Sequence, residues 1–140
     1  MNETLAAPAT GATSKNNQDK LTSIPTKHEL CIHELLKAGT DGINQLTALS
    51  TYFDTCLNTT VSELGLKRNL TIEREKRQHI HSAGGVTYFC WYWFATRGKA
   101  QQGLDALNLL REQRKVAHLT EFESSKLLER FPETFLKPVA

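Results

Sequence analysis

Five cations, Lys67, Arg68, Arg74, Lys76 and Arg77, fall within eleven residues, and ammonium and guanidinium groups at that density are suited to holding phosphates. Just ahead of them, Thr55, Asn58, Thr59 and Ser62 offer hydroxyl and amide groups. An Asn amide can make two hydrogen bonds to an adenine edge, and Thr or Ser can contact bases or phosphates. Other chemistries are less well provided for. His79 and His81 share one face of an extended segment, but no Cys or carboxylate pair accompanies them and no metal is assigned. Cys31, Cys56 and Cys90 are odd in number and lack a CxxC pairing, so they are expected as reduced, buried thiols. The sequence holds no phosphate-cradling glycine loop, nucleophile elbow or spaced acid pair. The chain is therefore expected to be neither an enzyme nor a cofactor carrier.

The formal charge of +2 over 140 residues is too small to indicate a partner, but its distribution is uneven. Residues 1–66 hold four Lys/Arg against seven Asp/Glu, residues 67–115 hold ten against four, and the remainder hold three against four. The basic middle is the electrostatic footprint expected of a phosphate binder. An apolar fraction of 39% is enough for one modest core. Residues 1–22, rich in Ala, Thr, Asn and Gly, are expected to form a disordered leader with no secretory signal or membrane span. A cytoplasmic location, in a bacterium or a phage-infected cell, follows as an expectation. The Asn-x-Thr triplets at Asn2, Asn58 and Asn69 are then chance matches to the glycosylation pattern.

The elements that must position these groups are marked by caps and periodicity. Thr26 and Glu29 form a capping-box pattern, followed by Cys31, Ile32, Leu35 and Leu36 at helical spacing and a stop at Gly39. After a short strand at Ile43, Asn44 is expected to cap a helix through Thr51, with Leu46 and Leu49 inward. Asp54 is expected to cap the next helix, over Thr55 to Leu64, with Leu57, Val61 and Leu64 inward and Gly65 ending it. Two short helices with a tight connection have helix-turn-helix anatomy.

A hairpin follows. Leu70 to Arg77 carries both signs of charge, Val86 to Phe94 is almost wholly apolar, and a tip over Gln78 to Gly85 contains Gly84 and Gly85. Alternation along the return arm makes both of its faces apolar, with Trp91 and Trp93 on one of them. That calls for a cover from the C-terminal segment or a second copy of the chain. Thr96-Arg-Gly98 reads as a break before a helix over Lys99 to Arg114, whose Leu104, Leu107 and Leu110 form a stripe for packing or dimerisation. Thr120 and Glu123 start a last short helix, which Pro132 ends. The fold expected is mainly α with a small antiparallel hairpin. In domain terms, it is a winged helix-turn-helix over 23–95 with a helical extension over 96–140.

The segment Ile43-Asn-Gln-Leu-Thr-Ala-Leu49, the spacing of Leu57, Val61, Glu63 and Leu64, and Ile72 with the aromatic return strand resemble a small winged helix-turn-helix family of bacteriophages and prophages. The resemblance covers roughly His28 to Phe94. It implies a recognition helix in a major groove, a wing on the flanking backbone, and regulation of phage or mobile-element genes. Two positions depart from the pattern: Cys56 and Thr60 stand where members of that family tend to carry arginine.

The expected partner is double-stranded DNA. Thr55, Asn58, Thr59 and Ser62 would face the groove, and Lys67, Arg68, Arg74, Lys76, Arg77, His79 and His81 would serve the backbone. The alternative is a module that binds a host protein through Trp91, Trp93 and the leucine-rich C-terminus and does not touch DNA. No membrane association is expected.

Overall fold

The computed structural model describes residues 24–80 and 82–134. The leader and His81 lie outside the described residues. Helix α1 spans Lys27–Ala38, α2 Gln45–Tyr52, α3 Leu57–Arg68, α4 Arg97–Gln113 and α5 Glu121–Leu128, with strands β1 Glu73–Ile80 and β2 Val86–Trp93 between α3 and α4. The architecture is mainly helical with one two-stranded antiparallel sheet.

Local rules account for most of the boundaries. Thr26 Oγ1 accepts the Glu29 amide at 3.3 Å, and Asn44 Oδ1 accepts the Thr47 amide at 3.0 Å. Thr120 and Glu123 form both halves of a capping box at the start of α5. At α1 the second half is replaced, because the Glu29 carboxylate accepts from Arg114 instead. Thr96 caps α4 by accepting the Lys99 amide, so Thr96-Arg-Gly98 is the beginning of that helix and not a break before it.

Two expectations about α2 and α3 are corrected. Leu46 and Leu49 are exposed, while Ala48 is the buried residue of α2. Each residue advances the helix by about 100°, so turning Ala48 to the core swings its leucine neighbours off that face. Gly65 does not end α3. The helix continues a further turn to Arg68, and Asn69 closes it in the left-handed region at φ 58°, a conformation that Asn tolerates.

The core is one cluster built around Ile32, Leu35, Leu64, Phe94, Leu107 and Phe131. Phe94 stands edge-on to Phe131 with centroids 6.3 Å apart, and its ring lies where a Cβ on Gly103 would be. Leu104, Leu107 and Leu110 are buried in this core, where α4 packs along α1. The stripe expected to serve an interface is thus consumed within the chain.

The sheet runs in register from Glu73 opposite Trp93 to Ile80 opposite Val86. The strands reach closer to the turn than expected and take in Gln78 to Ile80. Ile43 joins the sheet as a single bridge, donating to the Tyr92 carbonyl at 2.8 Å and accepting from its amide at 2.9 Å. This bridge ties the hairpin to the segment leading into α2. Among the described residues, no helix is long and apolar enough to cross a membrane.

Candidate functional site

The connection between α2 and α3 is fixed by a buried carboxylate. Asp54 Oδ2 accepts from Thr60 Oγ1 at 2.6 Å and from the Tyr52 hydroxyl at 3.1 Å. Its Oδ1 accepts the Cys56 amide at 2.9 Å and lies 3.8 Å from Lys27 Nζ. Gln45 closes the joint by accepting the Leu57 amide and donating to the Asp54 carbonyl. Asp54 was expected as a simple helix cap; it is instead the hub that sets the angle of α3.

Burial opposes the charge on Asp54, but the hydrogen bonds from Thr60, Cys56 and Tyr52, with Lys27 nearby, outweigh it and hold the carboxyl below its usual range. A carboxyl depressed by folding contributes stability above its unfolded value of about 3.9, and that contribution disappears as pH falls through the folded value. Asp54→Asn is therefore expected to cost about 2–3 kcal/mol at neutral pH. Its melting temperature should also fall less than the wild type's between pH 5 and pH 2. Parallel melting curves at the two ends of this range would contradict that role.

With the joint locked, Leu57, Val61 and Leu64 face the core, and Thr55, Asn58, Thr59 and Ser62 are exposed. These four side chains form an uncharged hydrogen-bonding surface over the approach to α3 and its first turns. Glu63, at its edge, is engaged by His28 at 3.1 Å and by Lys67 at 3.8 Å. Cys56, expected to be buried, is exposed at the start of the helix. Its sulfur lies 3.0 Å from Thr59 Oγ1, and that contact holds the thiol below its ordinary value. Cys31 is buried as expected, and burial pushes its thiol up to about 12.

The cations do not act as one group. Alternation along β1 sends Arg74 and Lys76 to the sheet face carrying Tyr92, Cys90 and Tyr88, and sends Arg77 and His79 to the face carrying Trp91 and Phe89. Arg74 lines an open depression of about 370 Å³ between α3 and β1, shared with Val61, Ser62, Leu66 and Ile72. It therefore stands beside the polar surface of α3.

Arg77 is held elsewhere. Its Nε donates to Glu75 at 2.8 Å, and its guanidinium lies 5.3 Å from the ring centres of both Trp91 and Trp93. The cover expected over these tryptophans is thus supplied in part by Arg77, a stacking that its flat, delocalised cation favours. His79 meets Phe89 edge-on at 5.5 Å.

Lys67 is drawn to Glu63 at the edge of the polar surface of α3, and Arg68 turns away from it. They line a second depression with Asn69, Gln102 and Asp105, beside α4. Arg68 follows Leu64 by one helical turn and Val61 by two, so its stem is directed inward, and its Nε is buried without a hydrogen-bond partner. The extra turn of α3 beyond Gly65 produces this placement. Lys27 was not singled out in the sequence, but it stands at the start of α3 through its contact with Asp54. Nothing local marks it, because α1 and α3 meet only in the fold.

The structure thus places Thr55, Asn58, Thr59 and Ser62 on one exposed surface with Arg74 beside Ser62, puts Lys76 on the same sheet face as Arg74, and sends Arg77 to the opposite face and Arg68 inward. Among the described residues, no three His, Cys, Asp or Glu side chains converge as a metal site. No protein-family model matches this chain, and no curated protein or solved structure does.

Proposed function

We propose that α2, α3 and the hairpin act as a winged helix-turn-helix that binds double-stranded DNA, with α3 in a major groove and Arg74 and Lys76 on the adjoining backbone. The observation that carries this reading is Arg74 sharing one open depression with Ser62 of α3. A hydrogen-bonding helix face and a cationic strand then address one surface, with Glu63 at its edge already engaged. Base edges would be met by Asn58 and its hydroxyl neighbours, and phosphates by the cations. Regulation of phage or mobile-element genes is the role that the family resemblance suggests for such a module.

Binding to a labelled random duplex, followed by fluorescence anisotropy across a salt series, tests the proposal. With Lys27, Arg74 and Lys76 as phosphate contacts, log affinity should fall with log salt at a slope of about −2 to −3. Arg74→Ala with Lys76→Ala should weaken binding on every sequence and remove most of that slope. Arg77→Ala, on the opposite face, should leave the slope unchanged, and Asn58→Ala should alter preference among sequences. No binding at low salt, or a flat response, overturns the proposal.

One observation favours a second reading. Leu46, Leu49 and Phe53 are exposed at three- and four-residue spacing, Phe53 by 81%. Such a stripe suits docking on a host protein. A protein that ignored duplex DNA would be assigned to that role.

A further inference from the structure

We propose that the hairpin tip is an apolar wedge that enters a minor groove of the bound duplex, partly unstacks one base step and bends the DNA. The inference rests on the duplex-binding reading and adds a deformation to it. Ile80 and Val86 face each other across the last rung of the sheet, and Tyr88 lies two rungs further in on the same face, opposite Gln78. Their exposures are 65%, 50% and 63%. Three large apolar side chains beside one another at the end of a two-stranded arm contribute nothing to the core. Contiguous apolar surface of this kind marks a site of contact.

Charge and reach select the occupant. The face that carries this trio also carries Arg74 and Lys76 and no acid, whereas the opposite face holds Glu73 and Glu75. Two copies meeting through the trio would bring like charges together; a polyanion would neutralise them. From Lys76 to Ile80 the strand advances about 14 Å, and from Arg74 about 20 Å. Half a turn of B-form DNA is about 17 Å. An arm anchored by its cations on one backbone therefore reaches the neighbouring minor groove with its tip. There apolar side chains can wedge between bases, most easily at flexible pyrimidine–purine steps.

The test uses the full chain and a duplex of some 40 base pairs carrying a fluorescence donor and acceptor at its ends. Wild-type protein should shorten the end-to-end distance on binding and should bind a duplex containing one mismatched pair at least threefold more tightly than its matched counterpart. Ile80→Thr with Val86→Thr replaces exposed side chains by another β-branched residue, so the strand propensity is retained. That variant should keep the salt slope, leave the duplex straight and lose the preference for the mismatch.

A wild-type complex with straight DNA overturns the wedge, and so does a variant that bends as well as the wild type. The wild-type arms need no variant, so a variant that failed to fold would not protect the idea. A wild type that sediments as a dimer, with a monomeric variant, would give the tip to a second copy of the chain. Absence of any duplex binding removes the functional reading together with the wedge, while binding without bending removes the wedge alone.

Discussion

Glu29→Ala is expected to lower the free energy of unfolding by about 3–5 kcal/mol, the cost of leaving a buried charge without its counter-ion. The Glu29 carboxylate takes two hydrogen bonds from Arg114, Nε to Oε1 at 2.8 Å and Nη2 to Oε2 at 2.7 Å. The fork geometry makes this the strong form of the interaction. Its side chains are 5% and 14% exposed for Glu and Arg, and donating to Glu29 raises the Arg114 value further. The pair joins the first turn of α1 to the C-cap of α4, across 85 residues of sequence.

Small domains have total stabilities of about 5–15 kcal/mol, so a loss of this size would leave the variant marginal. Glu29→Gln, which keeps an acceptor but not the charge, should fall between. A matched pair of apolar replacements at positions 29 and 114 should recover most of the deficit, because desolvating the two charges is itself costly. Urea titration of the four proteins gives the numbers. By contrast, Lys37 with Glu34 and Arg77 with Glu75 are pairs with at least one exposed partner, whose removal should change stability by less than about 1 kcal/mol. If Glu29→Ala behaved like those, water would have to reach the pair.

What the sequence made legible was local. The caps at Thr26, Asn44 and Thr120 are read from residues three positions apart, and the structure forms each of them. The inward stripe of α3 and the two arms of the hairpin were legible for the same reason, through periods of 3.6 and 2. The same local pattern misled at α2, where one small residue, Ala48, took the core position that two leucines were expected to share.

The site was only half legible. Which residues of α3 face outward follows from its stripe, but the destination of each cation depends on contacts between distant segments. Arg74 and Arg77 are three apart and look equivalent in sequence. Strand alternation places them on opposite faces, and only the fold shows which face meets α3. Arg68 reads in the sequence as part of the basic cluster, but the extra turn of α3 beyond Gly65 carries its stem inward. Glu29 and Asp54 read in the sequence only as cap residues; the pairing of Glu29 with Arg114 and of Asp54 with Lys27 depends on the fold.

The coupling of the two halves of the site points to one glycine. Gly42 has φ 77° and ψ −179°, a region that essentially only glycine occupies, and holding another residue there costs on the order of 1–3 kcal/mol. A Cβ built on it would sit 2.5 Å from the Tyr92 carbonyl oxygen and 3.2 Å from Trp93 Cβ. Because the nearer atom is backbone, no rotamer change relieves the clash. The strand must move, and the two hydrogen bonds between Ile43 and Tyr92 are the first to be lost, at about 1 kcal/mol each.

Gly42→Ala is thus expected to cost about 3–5 kcal/mol from strain and lost bonds together. Gly84→Ala serves as the control: its φ is also positive, at 88°, but a Cβ there meets nothing within 4 Å. It should show the backbone term alone. Hydrogen exchange adds a local readout, since the Ile43 and Tyr92 amides should lose protection in Gly42→Ala well before the α1 amides do. The same variant should weaken duplex binding more than its stability loss explains, because Arg74 would no longer be held beside Ser62. Equal exchange at the bridge in both glycine variants would mean that Gly42 does not set the hairpin against the helices.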